Sequence, residues 1–301
     1  MRVSDNSIVG AIDEIASDVM IPDTRIPSES ETGTESSSGS ISTEWNIDEQ
    51  DDFFASVMCS SWVEGDDWNS EDGTGTKTLE LGTSRDVYSM IKKYPQSPVE
   101  YKWFKGLQLN QLGIDMALNS FVKLTWDFLG ANNPKAVSAD PTTGLTNVTY
   151  GEAFTTKSFK TLEGSFFMGD AKGSHDVQIR QSSAFNMTIN NNKERTDALF
   201  ETEAIEMSDG DFAVEGSFDI WKADTLATTI ENLAIEGKKK WLEISVSRTY
   251  EGKVYKYAIQ LLAKLKSPSE SKDGSKLKNT INFSVHDKGG IKIIKTVTEA
   301  V

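Results

Sequence analysis

The chain carries one strand-and-helix pattern twice, and this repeat restricts its fold more than any other feature. Residues 39–45 (GSISTEW) alternate as a strand does and are followed by Asp48 and an apolar run at helical spacing. Residues 216–221 (GSFDIW) have the same form and precede Asp224 and a second such run. Each Asp is placed to cap the helix that follows it. A repeat of this length is typical of a duplicated domain.

After each helix, three further strand patterns follow in the same order. Residues 79–81 correspond to 242–244, residues 101–103 to 255–257, and the strand around Trp126 to the one around Phe283. The alternation of apolar and polar residues is clearest at 122–128, which predicts a strand with one buried face. The strand at 281–285 is predicted to be the last.

These patterns predict a mainly β fold with short α-helices, built from two β-sandwich or half-barrel units. The first unit spans residues 41–133 and the second spans 181–301, with a linker or insert at 134–180. Residues 1–27 are predicted to form an extended arm or edge strand because prolines interrupt their short apolar runs. Residues 28–40 are nearly all Ser, Glu, Thr and Gly, which predicts a flexible or partner-ordered loop.

Each predicted helix has one apolar face that we expect to pack against a sheet. Burial of a large apolar side chain stabilises the fold by roughly 1.5–3 kcal/mol. Gly237 follows the second helix at the position typical of a C-terminal glycine. The residues expected in this core are Phe53, Phe54 and Val57 in the first helix and Leu226, Ile230 and Leu233 in the second.

The chain is acidic, with 31 Lys and Arg against 46 Asp and Glu and a net charge of −15. Proteins that wrap DNA contact its phosphates through Lys and Arg, so this charge argues against such a role. Two interpretations remain: the charge provides solubility, or it repels a nucleic acid that must pass without binding. No apolar stretch approaches the ~20 residues of a membrane-spanning helix. We expect neither a secretory signal nor a membrane anchor.

The sequence contains no recognisable catalytic or cofactor-binding motif. His175 and His286 have no neighbouring Cys, His or suitably spaced carboxylate, and the single cysteine, Cys59, is expected in the core. The acidic loop 67–73 has the alternate spacing of a calcium loop but lacks its glycine and terminal Glu in place. We therefore predict a protein that is not an enzyme, with no catalytic residue, metal or cofactor.

Several segments together resemble the phage tail tube (major tail protein) family. Residues 40–58 are similar to that family's opening strand followed by an Asp-Asp helix. Residues 78–131 add a Tyr-Pro-x-Ser-Pro break and a Leu-Asn-x-Leu strand at 109–112, and residues 208–212 lead into the strand at 216–220 in the same way. The resemblance covers roughly residues 5–265, and the order of the motifs carries it more than any one motif.

The resemblance implies a structural virion protein that forms rings, which stack into the tail tube after assembly in the bacterial cytoplasm. Neighbouring subunits would join their sheets into a closed barrel around an acidic lumen, through which double-stranded DNA passes without specific binding. Two units per chain favour a ring of three chains with pseudo-six-fold symmetry, and a hexamer of chains with one enlarged unit is the alternative. Other tail proteins would bind the tube ends. The polar strand residues Glu44, Asp127, Asp219 and Glu243 are candidates for the lumen or, equally, for a solvated outer face.

Two other classes of protein fit parts of the pattern. A tail terminator or a secretion-system tube would use the same fold, although terminators usually have one unit. A carbohydrate-binding β-sandwich for adhesion could use Trp62, Trp68 and Trp103 to stack on sugars, but these residues share no spacing.

Overall fold

The computed structural model of the chain describes residues 3–16, 30–145, 156–223, 225–274, 276–287 and 289–300. The helices in this part are α1 (Asp51–Val57), α2 (Thr225–Ile235) and a short 3-10 helix (Thr161–Glu163). The strands are β1 (Asp5–Asn6), β2 (Val9–Ala16), β3 (Ser30–Glu44), β4 (Val63–Glu64), β5 (Gly75–Glu80), β6 (Tyr88–Tyr94), β7 (Glu100–Ala117), β8 (Lys123–Gly130), β9 (Gly164–Gly169), β10 (Val177–Gln178), β11 (Ser182–Asn190), β12 (Glu194–Thr196), β13 (Glu206–Ser208), β14 (Ala213–Trp221), β15 (Lys239–Tyr250), β16 (Lys253–Leu265), β17 (Ser269–Asp273), β18 (Lys276–Val285) and β19 (Ile291–Glu299).

The strands form two antiparallel layers. Sheet 1 has the order β2–β3–β8–β7–β11–β14–β18–β17. Sheet 2 has the order β4–β5–β19–β16–β15–β9–β10. The two are continuous, because the end of β16, residues 263–265, leaves β19 and pairs with residues 283–285 of β18. The prediction of a mainly β fold is confirmed, and the pairings of the described strands do not close into a barrel.

One hydrophobic core fills the space between the sheets. Phe166 of β9 meets Phe185 of β11 and Phe218 of β14, with ring centroids 5.7 and 5.1 Å apart. At the other side of the core, Phe54 of α1 meets Trp126 of sheet 1 at 5.2 Å and Tyr257 of sheet 2 at 6.5 Å. Helix α1 therefore lies between the two layers.

Helix α2 packs on β16 and β18 and ends at a glycine, as the sequence predicts. Gly237 has φ of 62°, a left-handed conformation that favours glycine. Its N–H donates to the carbonyl of Ala234, and the N–H of Lys238 donates to that of Leu233. These are the two hydrogen bonds of a Schellman motif, which satisfy the last carbonyls of the helix.

The prediction of a loop at residues 28–40 is wrong from residue 30 onward. Strand β3 begins at Ser30 and pairs with β2 through residues 30–38 and with β8 from residue 37. Small polar residues form a strand here because β2 satisfies backbone hydrogen bonds along residues 30–38 and β8 does so from residue 37. The described part of the predicted arm does form strands β1 and β2, and the remainder (1, 2 and 17–27) lies outside the described residues.

The prediction that Asp48 caps the first helix is also wrong. Helix α1 starts at Asp51 with Gln50 in the capping position, and Asp48 lies in the preceding turn with φ of 63°. Its carboxylate instead pairs with Lys295 of β19. The corresponding residue of the second helix, Asp224, lies outside the described residues.

The structure adds strands where none were predicted. Strand β19 follows β18, so the strand at 281–285 is not the last. The segment 134–180, predicted as a linker or insert, contributes β9 and β10 to sheet 2. Pairing of β5 with β19 and of β7 with β11 joins the two predicted units within the same sheets. The division of the chain into two units stays a prediction.

Candidate functional surface

The side of sheet 1 that faces away from the core is an almost entirely polar surface, here called the polar face. It arises from the alternation within each strand. In β8, Leu124 and Trp126 are buried in the core, whereas Thr125 and Asp127 point the other way. The strand register continues this surface sideways, since Asp127 lies opposite Ser40 of β3 and Gln111 of β7.

The polar face is made of small and acidic side chains. Its carboxylates include Glu44, Asp115, Asp127, Glu215 and Asp219, and its lysines include Lys123, Lys278, Lys264 opposite Ser284, and Lys266, which pairs with Glu215. The other members are Ser, Thr, Asn, Gln and Gly with few apolar residues: Ser40, Ser42, Gln111, Gly113, Thr125, Asn186, Thr188, Asn190, Ser217, Thr280, Asn282 and Ser284. Small polar side chains therefore dominate the surface, and two of its carboxylates are paired with lysines, Asp219 with Lys278 and Glu215 with Lys266.

Two of the predicted lumen residues, Glu44 and Asp127, lie on this face on the neighbouring strands β3 and β8. The Glu44 carboxylate accepts a hydrogen bond from the Ser158 hydroxyl at 2.6 Å. The Asp127 carboxylate accepts one from the Gln111 amide at 2.9 Å. Burial beside neutral neighbours raises the pKa of Asp127.

The third predicted lumen residue, Asp219, shares the polar face but is partly neutralised. It accepts hydrogen bonds from the Thr280 hydroxyl at 2.6 Å and from the Lys278 ammonium at 2.7 Å. The pKa of Lys278 is raised, first of all by its hydrogen bond to Asp219. At this point of the face, the net charge is therefore small.

The fourth predicted lumen residue, Glu243, lies apart from the others on sheet 2. The residue is 6% exposed on the outer side of β15. His175 contacts its carboxylate at 2.9 Å and the Gln260 amide donates to it at 2.8 Å. The His175 ring stacks on Phe167 with centroids 4.4 Å apart. Glu243 is thus enclosed by its own chain.

The predicted helix residues lie against the core, but not all equally deep. Phe54, Val57 and Ile230 are fully buried, whereas Phe53, Leu226 and Leu233 are partly buried at the core's margin. In α2 the other fully buried residues are Ala227 and Ala234, which the sequence analysis did not name. Their small side chains allow the helix backbone to lie near the sheet.

A buried ionic cluster links α1 to sheet 2, and the sequence analysis did not predict it. Lys295 contacts Asp48 and Asp51, and the Tyr257 hydroxyl donates to Asp51 at 2.7 Å. Burial raises the pKa of Asp51, although Lys295 and Tyr257 act to lower it. Ile291, Ile293 and Val297 alternate with polar residues, and this alternation places Lys295 on the core side of β19. The pattern is visible in the sequence and could have indicated a buried lysine.

The remaining candidates for chemistry take structural positions. Cys59 is buried, and burial raises the pKa of its thiol. In the acidic loop, Asp72 accepts hydrogen bonds from the N–H and hydroxyl of Thr74, which lower its pKa. Among the described residues, no group of His, Cys, Asp and Glu has the arrangement of a metal site.

The tryptophans considered for sugar binding lie on separate elements. The Trp62 indole donates to the carbonyl of Asp51, Trp68 lies under Lys77 and Trp103 lies beside Lys105 on β7. In the described part of the chain neither α-helix is long and apolar enough to span a membrane.

Comparison with protein families gives one match that covers most of the chain. A family model described as phage tail tube protein matches residues 8–251. The matched region includes α1, α2 and the strands that carry most of the polar face. A search of curated proteins gave no match.

Proposed function

Because the chain belongs to the phage tail tube protein family, we propose that it forms rings that stack into the tube of a phage tail. The observation that supports this most directly is the polar face of sheet 1. A broad sheet with one face in the core and the other lined by small polar and acidic side chains is suited to line a channel. Assembly would take place in the host cytoplasm, with other tail proteins at the tube ends.

In this proposal the polar face lines the lumen. The carboxylates Glu44, Asp115, Asp127, Glu215 and Asp219 repel the phosphates of double-stranded DNA. Short side chains leave the passage wide. Lys278 and Lys266 already pair with Asp219 and Glu215, which limits the cationic charge that could hold DNA. Glu243, enclosed on sheet 2, is not part of this lumen surface.

The edges of sheet 1 supply the means of ring closure. Strands β2 and β17 each have one neighbour in the described part of sheet 1, so each leaves a row of backbone groups unpaired. Exposed edges of this kind tend to pair with another strand unless they are protected. Pairing of β17 in one copy with β2 in the next would make one continuous sheet around the lumen.

A ring of three chains is supported by a correspondence between the two halves. Strand β3 pairs with β8 as β14 pairs with β18, and in these pairs Gly39 lies opposite Phe128 and Gly216 opposite Phe283. Each chain would then contribute two similar units to a pseudo-six-fold ring. A hexamer of single enlarged units is the alternative that symmetry measurements separate from it.

Negative-stain electron microscopy of the purified chain over a concentration series tests the proposal. We expect hollow filaments of stacked rings whose number grows with concentration, and top-view averages with three-fold symmetry. Six-fold averages without three-fold modulation would exclude the duplicated ring but keep the tube. Isolated rings that never stack would indicate a terminator, and a monomer at every concentration, also in the presence of tail-tip extracts, would contradict the proposal.

A further inference from the structure

The loop between β12 and β13 ends in two apolar side chains, here called the tip. Leu199 is 84% exposed and Phe200 is 101% exposed. Phe200 also has φ of 74°, a left-handed conformation that bulky residues rarely adopt. Such a conformation at a fully exposed aromatic residue points to a role outside the chain's own core.

The tip is held in place by its surroundings. The Glu35 N–H of β3 donates to the Thr202 carbonyl at 2.6 Å, and the Arg195 guanidinium donates to the Glu35 carbonyl at 2.7 Å. At the base of the hairpin, the buried Lys193 ammonium pairs with Asp209. The hairpin is therefore fixed to sheet 1 and presents the tip in one position.

An apolar pocket of about 350 Å³ opens between the two sheets, here called the end pocket. This volume lies within the range of pockets that bind small molecules or side chains. Its apolar walls are Met116, Leu118, Leu162, Phe166, Ile179 and Phe185.

The tip and the end pocket lie at opposite ends of the same strand. Residues 182–185, the start of β11, line the pocket, and β11 ends at Asn190, directly before the hairpin. A strand of this length spans roughly 25–30 Å. The tip therefore cannot enter the pocket of its own chain, and a contact between the two must join two copies.

The charges around the two features are complementary. The tip is flanked by Glu201 and Glu203, whereas the nearby Asp197 already pairs with Arg195 at 2.6 Å. Arg180 lines the pocket and Lys160 directly precedes the lining residue Thr161, and in the described part of the chain neither forms an ion pair. Glu163, which follows the lining residue Leu162, already pairs with Arg248 at 3.3 Å. A second copy of the same chain thus offers the apolar pocket with a rim whose charge is opposite to that of the tip.

We propose that the tip of one copy inserts Phe200 and Leu199 into the end pocket of the next copy and joins successive rings. This contact is head to tail, so it leaves a tip and a pocket unoccupied at the two ends and generates an open stack. This inference rests on the proposed tube function and identifies the contact that joins successive rings along the tube axis. The acidic flanks of the tip and the cationic rim of the pocket set its orientation.

The first test compares Phe200→Ser with a matched control, Val63→Ser, at an exposed apolar position on β4. Neither side chain is buried, so both variants should fold as the wild type does. We expect Phe200→Ser to raise the concentration at which filaments form by at least about tenfold, because a central aromatic anchor is lost. Val63→Ser should leave it unchanged. Filament formation by Phe200→Ser at the wild-type concentration would overturn the tip contact and leave the tube function standing.

A cysteine pair tests the same contact directly. In a Cys59→Ala background, Phe200→Cys with Leu162→Cys, which is 72% exposed at the pocket rim, should form a ladder of disulfide-linked chains on oxidation. Phe200→Cys with Val63→Cys should not. If the wild type forms no filaments, the tube function fails, but a ladder at high concentration would still support the contact. Monomers alone, or equal ladders from both pairs, would overturn it.

Discussion

Lys295 is a cation placed among apolar side chains, and its surroundings explain how the fold tolerates it. It is 7% exposed on the core side of β19, where Asp48 and Asp51 neutralise it. Removing a charge from water is costly, and only close partners with satisfied hydrogen bonds offset that cost. The Tyr257 hydroxyl provides one such bond to Asp51.

Replacing Lys295 by Met should destabilise the chain strongly. The substitution leaves the Asp51 carboxylate, whose side chain is 22% exposed, without its cation. We therefore expect a loss of about 3 kcal/mol in the free energy of unfolding at neutral pH, the lower end of the range for breaking a buried pair. The pKa of Asp51 is already raised by burial, and loss of Lys295 raises it further. A carboxyl whose pKa is higher in the folded than in the unfolded state binds its proton preferentially when folded. The deficit should therefore shrink as the pH falls from 7 through that raised pKa.

Urea denaturation followed by tryptophan fluorescence, at concentrations where the chain is monomeric, measures this effect. Lys292→Met is the matched control on the opposite face of the same strand, where Lys292 pairs with the exposed Glu80. Its cost should be about 1 kcal/mol or less. Equal losses in the two variants, or a deficit for Lys295→Met that does not change with pH, would contradict the assignment.

At the scale of the element, Gly216 determines how closely β14 lies to its neighbours. A Cβ at this position would lie 2.4 Å from the Asn186 carbonyl oxygen and 2.6 Å from the Phe283 ring. Gly216→Ala should therefore force the strands apart and cost about 1–3 kcal/mol, as overpacking does. Ser217→Ala, one residue along on the polar face, is the control and should cost about 1 kcal/mol or less. Thermal unfolding of the monomer distinguishes the two, and equal melting temperatures would show that the backbone accommodates the methyl group.

The elements that the sequence predicted well are those whose signal is local. Strands β8 and β11 alternate strictly, and α1 and α2 have apolar faces at helical spacing. Strand β3 was missed because its first half has no apolar alternation and depends on pairing with β2, which no local pattern reveals. Strand β19 was missed although it alternates, since Lys295 occupies a core position in it.

For the candidate site, too, the sequence predicted what depends on local alternation and missed what depends on long-range strand pairing. Alternation alone places Glu44, Asp127 and Asp219 away from the core. It does not tell which sheet a strand joins, and this is why Glu243 was grouped with them although it belongs to sheet 2. Sheet membership depends on pairings between residues far apart in the sequence.

At the scale of the whole molecule, the polar face has a charge that can be reversed without changing the fold. Asp115 and Glu215 are both exposed, and among the described residues the two substitutions remove one ion pair, the surface contact of Glu215 with Lys266. The double variant Asp115→Lys with Glu215→Lys should therefore still form tubes. Its lumen would carry cations that bind phosphates, so tubes assembled with short duplex DNA should enclose DNA that nuclease cannot reach.

The location of the bound DNA tests whether the polar face lines the lumen. Wild-type tubes should protect no DNA, and protection in the double variant should fall steeply as the salt concentration of assembly rises. The control reverses the same number of charges in the exposed acidic loop, with Asp66→Lys and Glu71→Lys. That variant can bind DNA only on another surface, where nuclease degrades it. If DNA on the polar-face variant is degraded equally, the polar face lies outside the tube, because only an enclosed surface shields bound DNA from nuclease.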